Sequence, residues 1–417
     1  MTISSQRPVE QHPTADRHST LRTVDDAEAY VASICFKTGP PRLIGAELEW
    51  VVHDPDDPSR PLDPTLLRSA LGPHAPRTLD PDSPHTALPG GSAVTVEPGG
   101  QVEISSPPLA SLDALHTTTG SDLERLTGLL RRAGLALAAS GIDPHRGSSR
   151  LISTPRYDAM AGAFAREGRH GLVMMCSTAG LQVCLDAGEP GQLAKRWAAA
   201  HALGPLLIAA FATSPRQAGR DTGWASARMR TWLSMRPERT GPVAVADDPA
   251  RAWARYALAA PLLCVRRTTG GWHAPPDVTF ADWVRGALPQ RPTTDDLDYH
   301  LSTLFPPVRP RGYLEVRYLD AQHPREWLTP VAVLAAAMST DTTVDRALDL
   351  AAPAAGRWTR AARLGLADPV LAATARPVLE LACRSLTHTD LPPELRDEVA
   401  AIVERRLAAA PAVDPGR

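Results

Sequence analysis

The sequence predicts an α+β fold in which helices pack against one face of an antiparallel sheet. Four segments alternate between apolar and polar residues with the period of two that is typical of strands; they are residues 43–52, 95–105, 180–186 and 312–320. The segments between them have the composition and start signals of helices, and residues 325–410 are predicted to be helical. Because an antiparallel sheet can be buried on one face and wet on the other, we expect the four polar faces to lie side by side.

The strand at residues 43–52 carries two carboxylates on its polar face. One face holds the apolar residues Ile44, Ala46, Leu48 and Trp50. Glu47 and Glu49 lie on the other face, where two like charges at close range repel each other unless a cation lies between them. The strand predicts either a metal site or a half-exposed surface with two solvated carboxylates, and the strand alone does not distinguish them.

Residues 95–105 carry the next group of polar side chains. Glu97, Gln101 and Glu103 fall on one parity of the strand, and residues 98–100 (Pro-Gly-Gly) interrupt it. This interruption predicts a bulge or a turn, which can re-aim side chains into a site. The alternative is a hairpin tip whose carboxylates are exposed to solvent.

The other two strands add an amide, a carboxylate and a guanidinium. Gln182 lies on the polar face of the third strand, and Glu315 and Arg317 share a face of the fourth. The wet face would then carry five carboxylates, which cannot all stay ionised in one concavity without cations. Because these ligands are oxygen atoms, we expect Mg²⁺, or Mn²⁺ in its place. Magnesium held by a few carboxylates leaves positions for phosphate oxygens, so the strands indicate a site for a nucleoside triphosphate, although no glycine-rich phosphate-binding motif is present.

Composition narrows the class of protein. The chain has 417 residues, of which 43% are hydrophobic and 22% are charged, as in a globular protein. A net charge of −2 argues against a nucleic-acid partner. No apolar run is long enough to span a bilayer, and the five cysteines lack any paired spacing. We therefore expect a cytoplasmic protein with free thiols and no membrane partner.

The remaining segments predict the domain organisation. We expect residues 1–22 to be a disordered tail and residues 23–410 to form one domain. Within that domain, residues 214–247 are rich in arginine and in turn-forming residues. A solvated loop is the default interpretation of this segment, and a loop that covers a polyphosphate is the alternative.

The polar strands occur in a fixed order with several other motifs. These are Gly45-Ala46-Glu47-Leu48-Glu49-Trp50, Glu97-Pro98-Gly99-Gly100-Gln101-Val102-Glu103-Ile104-Ser105, Arg156-Tyr157 with Met160, Thr178-Ala179 with Gln182-Val183, and Gly312-Tyr313-Leu314-Glu315-Val316-Arg317. The set resembles the plant-type glutamate–cysteine ligase family, a branch of the carboxylate–amine ligases with a glutamine-synthetase-like fold. The resemblance covers about residues 24–385, and the second and last motifs are its specific ones.

The resemblance implies a curved antiparallel sheet with helices behind it, a single catalytic ligase domain, and ATP, Mg²⁺, L-glutamate and L-cysteine as ligands. Carried over position by position, it implies the metal ligands Glu47, Glu49, Glu97, Glu103 and Glu315. Glu47 and Glu315 would act in catalysis together with Arg317, which would lie against the phosphate or the acyl phosphate. The residues implied to bind substrate or nucleotide are Arg156, Thr178, Gln182, Gln101, Arg228 and Arg239.

The implied reaction is the ATP-dependent ligation of the γ-carboxylate of L-glutamate to the amino group of L-cysteine. It would pass through γ-glutamyl phosphate and would be the first step that feeds ergothioneine biosynthesis. No nucleophilic side chain is needed, so the cysteines are not expected to be catalytic. Two alternatives remain, a ligase of this class with another acceptor amine and a non-catalytic metal- or nucleotide-binding regulator. The sequence sets no oligomeric state.

Overall fold

The structure is a computed structural model that describes residues 19–409. The strands are β1 (Ile44–His53), β2 (Ala93–Val96), β3 (Val102–Ser105), β4 (Ala136–Ala138), β5 (Gly180–Leu185), β6 (Arg216–Gln217), β7 (Arg220–Asp221), β8 (Val308–Pro310) and β9 (Leu314–Asp320). The helices are α1 (Val24–Cys35), α2 (Pro64–Leu71), α3 (Leu112–Arg132), α4 (Pro155–Ala165), α5 (His170–Ser177), α6 (Leu193–Ala202), α7 (Gly204–Phe211), α8 (Ala227–Leu233), α9 (Pro237–Thr240), α10 (Pro249–Ala259), α11 (Phe280–Val284), α12 (Thr294–Leu301), α13 (Leu328–Ala337), α14 (Asp341–Ala351), α15 (Trp358–Leu364), α16 (Pro369–Ser385) and α17 (Pro393–Ala408). Across residues 19–409, no helix is long and apolar enough to cross a membrane.

Seven of the described strands form one antiparallel sheet. Six of them lie in the order β2-β3-β1-β5-β9-β8, and β4 pairs with the end of β1. The strands β6 and β7 form a separate hairpin. The predicted strands are β1, the β2–β3 pair, β5 and β9, so the α+β class with an antiparallel sheet is confirmed. The sequence does not reveal β4 and β8 because three residues are too few for alternation to show.

The register between strands brings polar residues from different parts of the chain together. Glu49 of β1 lies opposite Glu103 of β3, and Glu47 lies opposite Gln182 of β5. Glu315 lies on β9, which is the next strand of the sheet. Since side chains alternate between the two faces along each strand, the predicted polar residues share one face, as expected.

The main hydrophobic core lies on the other face of the sheet. Ala46, Leu48 and Trp50 of β1 are each no more than 2% exposed. Helix α3 packs on β1, α13 packs on β5, and α6 and α7 pack on β9, while α14, α16 and α17 pack behind them. This core draws residues from Leu21 to Leu407. The prediction that helices pack on the apolar face is therefore confirmed.

A second, smaller hydrophobic cluster is built mainly from α4, α5 and α8. It includes Met160, Met174, Trp232 and Phe305. These side chains line the same cavity as the polar face of the sheet. The polar face is therefore covered by a second layer and is not simply open to water, which the sequence does not predict.

The predicted disordered tail, residues 1–22, lies outside the described residues except for its last four. Of these, Thr20 pairs with Thr293, and Leu21 is 3% exposed. The N–H of Leu21 donates to the carbonyl of Pro292 at 2.9 Å. Residues 19–22 are therefore packed on the protein, which corrects the predicted boundary of the tail.

The arginine-rich segment, residues 214–247, has more regular structure than the predicted loop. It contains the β6–β7 hairpin and the helices α8 and α9. Ser226 caps α8 by accepting a hydrogen bond from the N–H of Met229, and Pro237 begins α9. The arginines of the segment are thereby distributed over a hairpin and two helices, so the prediction of a loop is wrong.

Candidate active site on the polar face of the sheet

A cavity of about 360 Å³ lies between the polar face of the sheet and the second hydrophobic cluster. Four of the five predicted metal ligands line it, namely Glu47, Glu49, Glu97 and Glu103. Glu315 is fully buried, and the arginines that bind its carboxylate line the cavity in its place. The structure therefore gathers residues that are up to about 270 positions apart in the sequence into one site, as the strand pattern predicts.

Three carboxylates form a compact cluster in this cavity. One oxygen from each of Glu49, Glu97 and Glu103 lies within 4.8 Å of the others. Glu49 also accepts a hydrogen bond from the N–H of Gly180 at 2.6 Å, and Glu103 accepts one from the hydroxyl of Thr95 at 2.9 Å. The carboxylates are thus held in place by neighbouring strands, and their free oxygens face each other.

The β2–β3 turn places Glu97 in this cluster. The N–H of Glu97 donates to the carbonyl of Gln101 at 2.8 Å, which closes a hairpin. Gly99 packs so closely on α5 that an added Cβ would lie 2.0 Å from the carbonyl oxygen of Cys176. Gly100 has a φ of +89°, which is accessible mainly to glycine. The Pro-Gly-Gly sequence is therefore a turn, as predicted, and the turn holds the carboxylate of Glu97 inside the cavity.

The electrostatics of this cluster favour a bound cation. Burial, with the nearby Glu97 acting in the same direction, raises the pKa of Glu103 to about 7. Burial together with Glu97 and Glu103 also raises the pKa of Glu49. Three carboxylates at this separation are disfavoured when all are ionised, whereas a divalent cation between them would offset the repulsion. Oxygen ligands of this kind fit Mg²⁺ or Mn²⁺.

A second group on the same face combines Glu47, Cys184 and Glu315. One ligand atom from each lies within 4.8 Å of the others. Glu47 has no hydrogen-bond partner for its carboxylate among residues 19–409, and burial raises its pKa to about 7, with Glu103 and Glu315 contributing in the same direction. This group could hold a second cation beside the phosphate groups of a nucleotide.

The carboxylate of Glu315 already binds three cationic side chains. Its Oε2 lies 2.6 Å from Nε of Arg309 and 2.8 Å from Nη1 of Arg317, and its Oε1 lies 3.3 Å from Nη1 of Arg311. Burial alone would raise the pKa of Glu315, but the arginines, with Arg309 the strongest, hold it well below its usual range. Glu315 therefore positions arginines in the cavity, and its predicted role as a metal ligand stays a prediction.

Two arginines that line this cavity have a buried Nε atom without a partner among the described residues. In the described chain, Nε of Arg317 and Nε of Arg228 are buried without a hydrogen bond. Arg228 donates from Nη2 to the carbonyl of Arg317 at 2.8 Å, and both guanidiniums lie over the ring of Trp232. Because a buried N–H without a partner costs free energy, this pair is suited to an anionic ligand. Arg317 and Arg228 therefore both lie in the cavity, where the sequence places them.

The other predicted substrate residues divide into two groups. Arg156, Thr178 and Gln182 line the cavity. Arg156 is held by Ser302, to whose hydroxyl and carbonyl it donates at 3.0 Å and 2.9 Å, and Gln182 accepts a hydrogen bond from Arg317. The hydroxyl of Thr178 donates to the carbonyl of Met174 at 2.7 Å, and the roles of these three residues in binding substrate stay predictions.

Gln101 and Arg239 do not line the cavity. Gln101 is 2% exposed and donates to the carbonyl of Thr178 at 2.8 Å, so it fastens the β2–β3 turn to the end of α5. Arg239 is also 2% exposed, and it donates to the carbonyls of Thr303, at 2.7 Å, and Pro261. Their predicted roles in binding substrate are corrected to structural ones, because all their polar contacts are to neighbouring backbone and side chains of the protein itself.

Sequence reasoning missed several residues of the site. Arg309 and Arg311, which bind Glu315, lie on and beside the three-residue strand β8, where no alternation is visible. Cys184 lies two positions after Gln182 on β5, so the alternation of the strand places it on the same polar face. Trp232 could not be found from its position, because its helix lies in the segment interpreted as a loop.

Comparisons with known proteins identify the class of this protein. A family model described as glutamate–cysteine ligase family 2 matches residues 43–406. The chain therefore belongs to this family of ligases, which confirms the resemblance seen in the motifs. It is 42% identical over 367 residues to the glutamate–cysteine ligase EgtA of Mycobacterium tuberculosis, a match that covers 86% of this chain and 82% of that protein.

Two further similarities complete the comparison. The chain is 38% identical over 392 residues to the glutamate–cysteine ligase EgtA of Mycolicibacterium smegmatis, which covers 91% of this chain and 88% of that protein. Among solved structures, a bifunctional glutathione synthetase from Pasteurella multocida matches 94% of this chain and 50% of its own, with 13% identity and a TM-score of 0.48. That structural similarity is too weak to carry an argument.

Proposed function

We propose that the protein uses ATP to join the γ-carboxylate of L-glutamate to the amino group of L-cysteine, giving γ-glutamylcysteine, ADP and phosphate. The observation that carries this proposal is the meeting, in one cavity, of a three-carboxylate cluster and two arginines whose buried Nε atoms have no partner. The relatives that match most of the chain are glutamate–cysteine ligases, which supports the choice of substrates.

The first half of the reaction is phosphoryl transfer. The glutamate γ-carboxylate attacks the γ-phosphorus of ATP, the bond to the bridging oxygen breaks, and ADP leaves with that electron pair. Glu49, Glu97 and Glu103 would hold Mg²⁺, or Mn²⁺, which when bound neutralises charge on the phosphates. Arg317 is fixed by Glu315 at 2.8 Å and would stabilise charge on the transferred group.

The second half is attack on the acyl phosphate. The cysteine amine adds to the acyl carbon, phosphate leaves with the electrons of the carbon–oxygen bond, and the departing phosphate takes the proton that the amine loses. No nucleophile of the protein takes part. Arg228 and Arg156 line the cavity and are suited to binding the α-carboxylates of the substrates. The surrounding hydrophobic cluster would keep water from hydrolysing the acyl phosphate.

The experiment that tests this function measures ADP release by the purified protein. The assay contains ATP, Mg²⁺ and L-glutamate, with and without L-cysteine, and mass spectrometry of the product. We expect cysteine-dependent ADP release and the mass of γ-glutamylcysteine. Manganese should replace magnesium in the same assay.

Other outcomes would point to the alternatives. ADP release with a different amine and not with L-cysteine would keep the ligase chemistry and change the acceptor. No ADP release with any amine in a panel would contradict the proposal and leave a non-catalytic metal- or nucleotide-binding protein.

We also place the reaction in the cytoplasm, at the first step that feeds ergothioneine biosynthesis, as the resemblance implies. Deletion of the gene should then lower ergothioneine in the source cells, and supplied γ-glutamylcysteine should restore it. Unchanged ergothioneine after deletion would contradict this placement without affecting the enzymatic proposal.

A further inference from the structure

A second cavity, of about 320 Å³, lies on the far side of two helices that also line the active site. Helix α5 presents Met174 to the active-site cavity and Val173 to the second cavity. Helix α8 likewise presents Arg228 to the first and Arg230 to the second. Residues of the β6–β7 hairpin and of the turn after it also line the second cavity.

Positive charge is concentrated in this second cavity. Arg169 precedes α5, Arg220 lies on the hairpin, and Arg230 lies on α8. None of the three forms an ion pair with any carboxylate in the part of the chain that the structure describes. By contrast, Arg236 of the same arginine-rich segment binds Asp277 at 2.6 Å. The three arginines thus come from separate segments, line one cavity and form no ion pair among the described residues.

The neighbouring groups offset the charge of these arginines only in part. His170 also lines the cavity, and burial lowers its pKa, with Arg169 and Arg230 lowering it further. Asp221 is the one carboxylate among the described lining residues, and its Oδ1 accepts a hydrogen bond from the N–H of Gly223 at 2.9 Å. Three arginines against one aspartate leave the lining with a net positive charge, which attracts an anion.

We propose that this cavity binds a small anion with two or more negative charges, held by Arg169, Arg220 and Arg230. Planar guanidinium groups match the oxygens of phosphoryl and carboxylate groups through paired hydrogen bonds. A volume of about 320 Å³ is enough for a small molecule of this kind. The arginine-rich segment then has a function that the active site does not account for.

Such an anion would be linked to the active site through α5. This helix runs from His170 at the second cavity to Ser177, and Thr178, which follows it, lines the active site. A helix of eight residues is about 12 Å long. An anion in the second cavity would therefore lie against a helix that also borders the active site.

The test measures binding of pyrophosphate and of citrate to the full chain by calorimetry, without magnesium. Hydrogen exchange of the hairpin, residues 216–222, locates the binding. We expect both anions to slow exchange in the hairpin, and we expect Arg220→Ala to weaken that effect at least about tenfold. The matched control is Arg216→Ala, whose side chain is exposed on the same hairpin and does not line the cavity.

Pyrophosphate and citrate distinguish a phosphoryl ligand from a polycarboxylate ligand. Tighter binding of pyrophosphate identifies a phosphoryl compound as the ligand, and tighter binding of citrate identifies a polycarboxylate. If neither anion protects the hairpin, or if Arg220→Ala binds as wild type does, the proposal is overturned and the arginines form an ordinary solvated surface. Because the readout is binding, it does not depend on ligase activity.

Discussion

The two groups of carboxylates on the sheet differ in how their charge is balanced. Glu49, Glu97 and Glu103 face one another, and the pKa of each is raised by burial. Glu315 lies on the same face but binds three arginines, which hold its pKa below its usual range. The cluster of Glu49, Glu97 and Glu103 therefore requires an external cation to balance its charge. The charge of Glu315 is balanced by arginines of the protein itself.

The two groups of carboxylates should therefore differ in whether a bound metal ion stabilises them. The pKa values of Glu49, Glu97 and Glu103 stay raised although arginines lie near them, so the ionised cluster is repulsive and metal binding relieves it. A carboxylate that is bound by arginines is satisfied before any ligand arrives, and its removal leaves buried positive charge behind. Substitutions in the two groups should therefore change stability in opposite directions.

The largest expected effect is on catalysis, in Glu97→Gln. No hydrogen bond to the Glu97 carboxylate is found in the described chain, so this change removes charge with little other loss. We expect the rate of ADP release to fall at least about a hundredfold, because a ligand of the charge-neutralising centre is lost. The metal-free protein should become slightly more stable, since a repulsive buried charge is removed.

The measurements for Glu97→Gln are steady-state ADP release and thermal unfolding with and without Mg²⁺. The matched control is Glu398→Gln, which removes an exposed carboxylate on α17. Wild-type activity of Glu97→Gln at saturating Mg²⁺ would remove Glu97 from the metal site.

Glu315→Gln should have the opposite effect on stability. It leaves Arg309, Arg311 and Arg317 without their common partner, so the free energy of unfolding should fall by about 3–5 kcal/mol. Activity should fall as well, because Arg317 loses the contact that positions it. Denaturant unfolding without Mg²⁺ measures the effect, and Glu398→Gln serves again as the control. If Glu315→Gln and Glu97→Gln change stability in the same direction, the contrast between the two groups is wrong.

The pH dependence of stability should also reveal the raised carboxylates. The pKa values of Glu47 and Glu103 are about 7 in the folded protein, whereas unfolded glutamates titrate near 4.5. Between these values the folded state binds more protons than the unfolded state, so the free energy of unfolding falls as pH rises through this range. Bound Mg²⁺ should reduce the fall, because it stabilises the ionised form.

Thermal unfolding at a series of pH values from 5 to 8, with and without Mg²⁺, provides the measurement. Stabilisation by Mg²⁺ should increase with pH over this range. A metal-free melting temperature that rises steadily up to pH 7 would contradict the raised pKa values.

Local alternation was enough to predict much of this site. Glu47, Glu49 and Glu103 lie on strands whose period of two is visible in the sequence, and antiparallel pairing then places them on one face. Gln101 was misplaced for a related reason. The turn at residues 98–100 breaks the alternation, so Gln101 turns under the hairpin while Glu97 enters the cavity.

The remaining errors come from long-range packing. Arg239 and Arg228 are eleven positions apart in a segment with many turns, and no period in the sequence indicates which of them reaches the cavity. The structure decides this through α8 and α9, which place Arg228 against Trp232 and Arg239 against the backbone of Thr303. Such contacts depend on where separate elements meet, which composition and spacing do not encode.

The smallest expected effect concerns Cys184, which lies within 4.8 Å of ligand atoms of Glu47 and Glu315. A thiol among carboxylates is a poor ligand for Mg²⁺ but a good one for Zn²⁺. Cys184→Ser should therefore keep activity with Mg²⁺ within about threefold and should weaken inhibition by Zn²⁺ at least about tenfold. The matched control is Cys383→Ser, a half-buried thiol on α16. Equal inhibition of both variants by Zn²⁺ would show that the thiol is not a ligand, and the second group would then differ from the first only in the arginines that neutralise it.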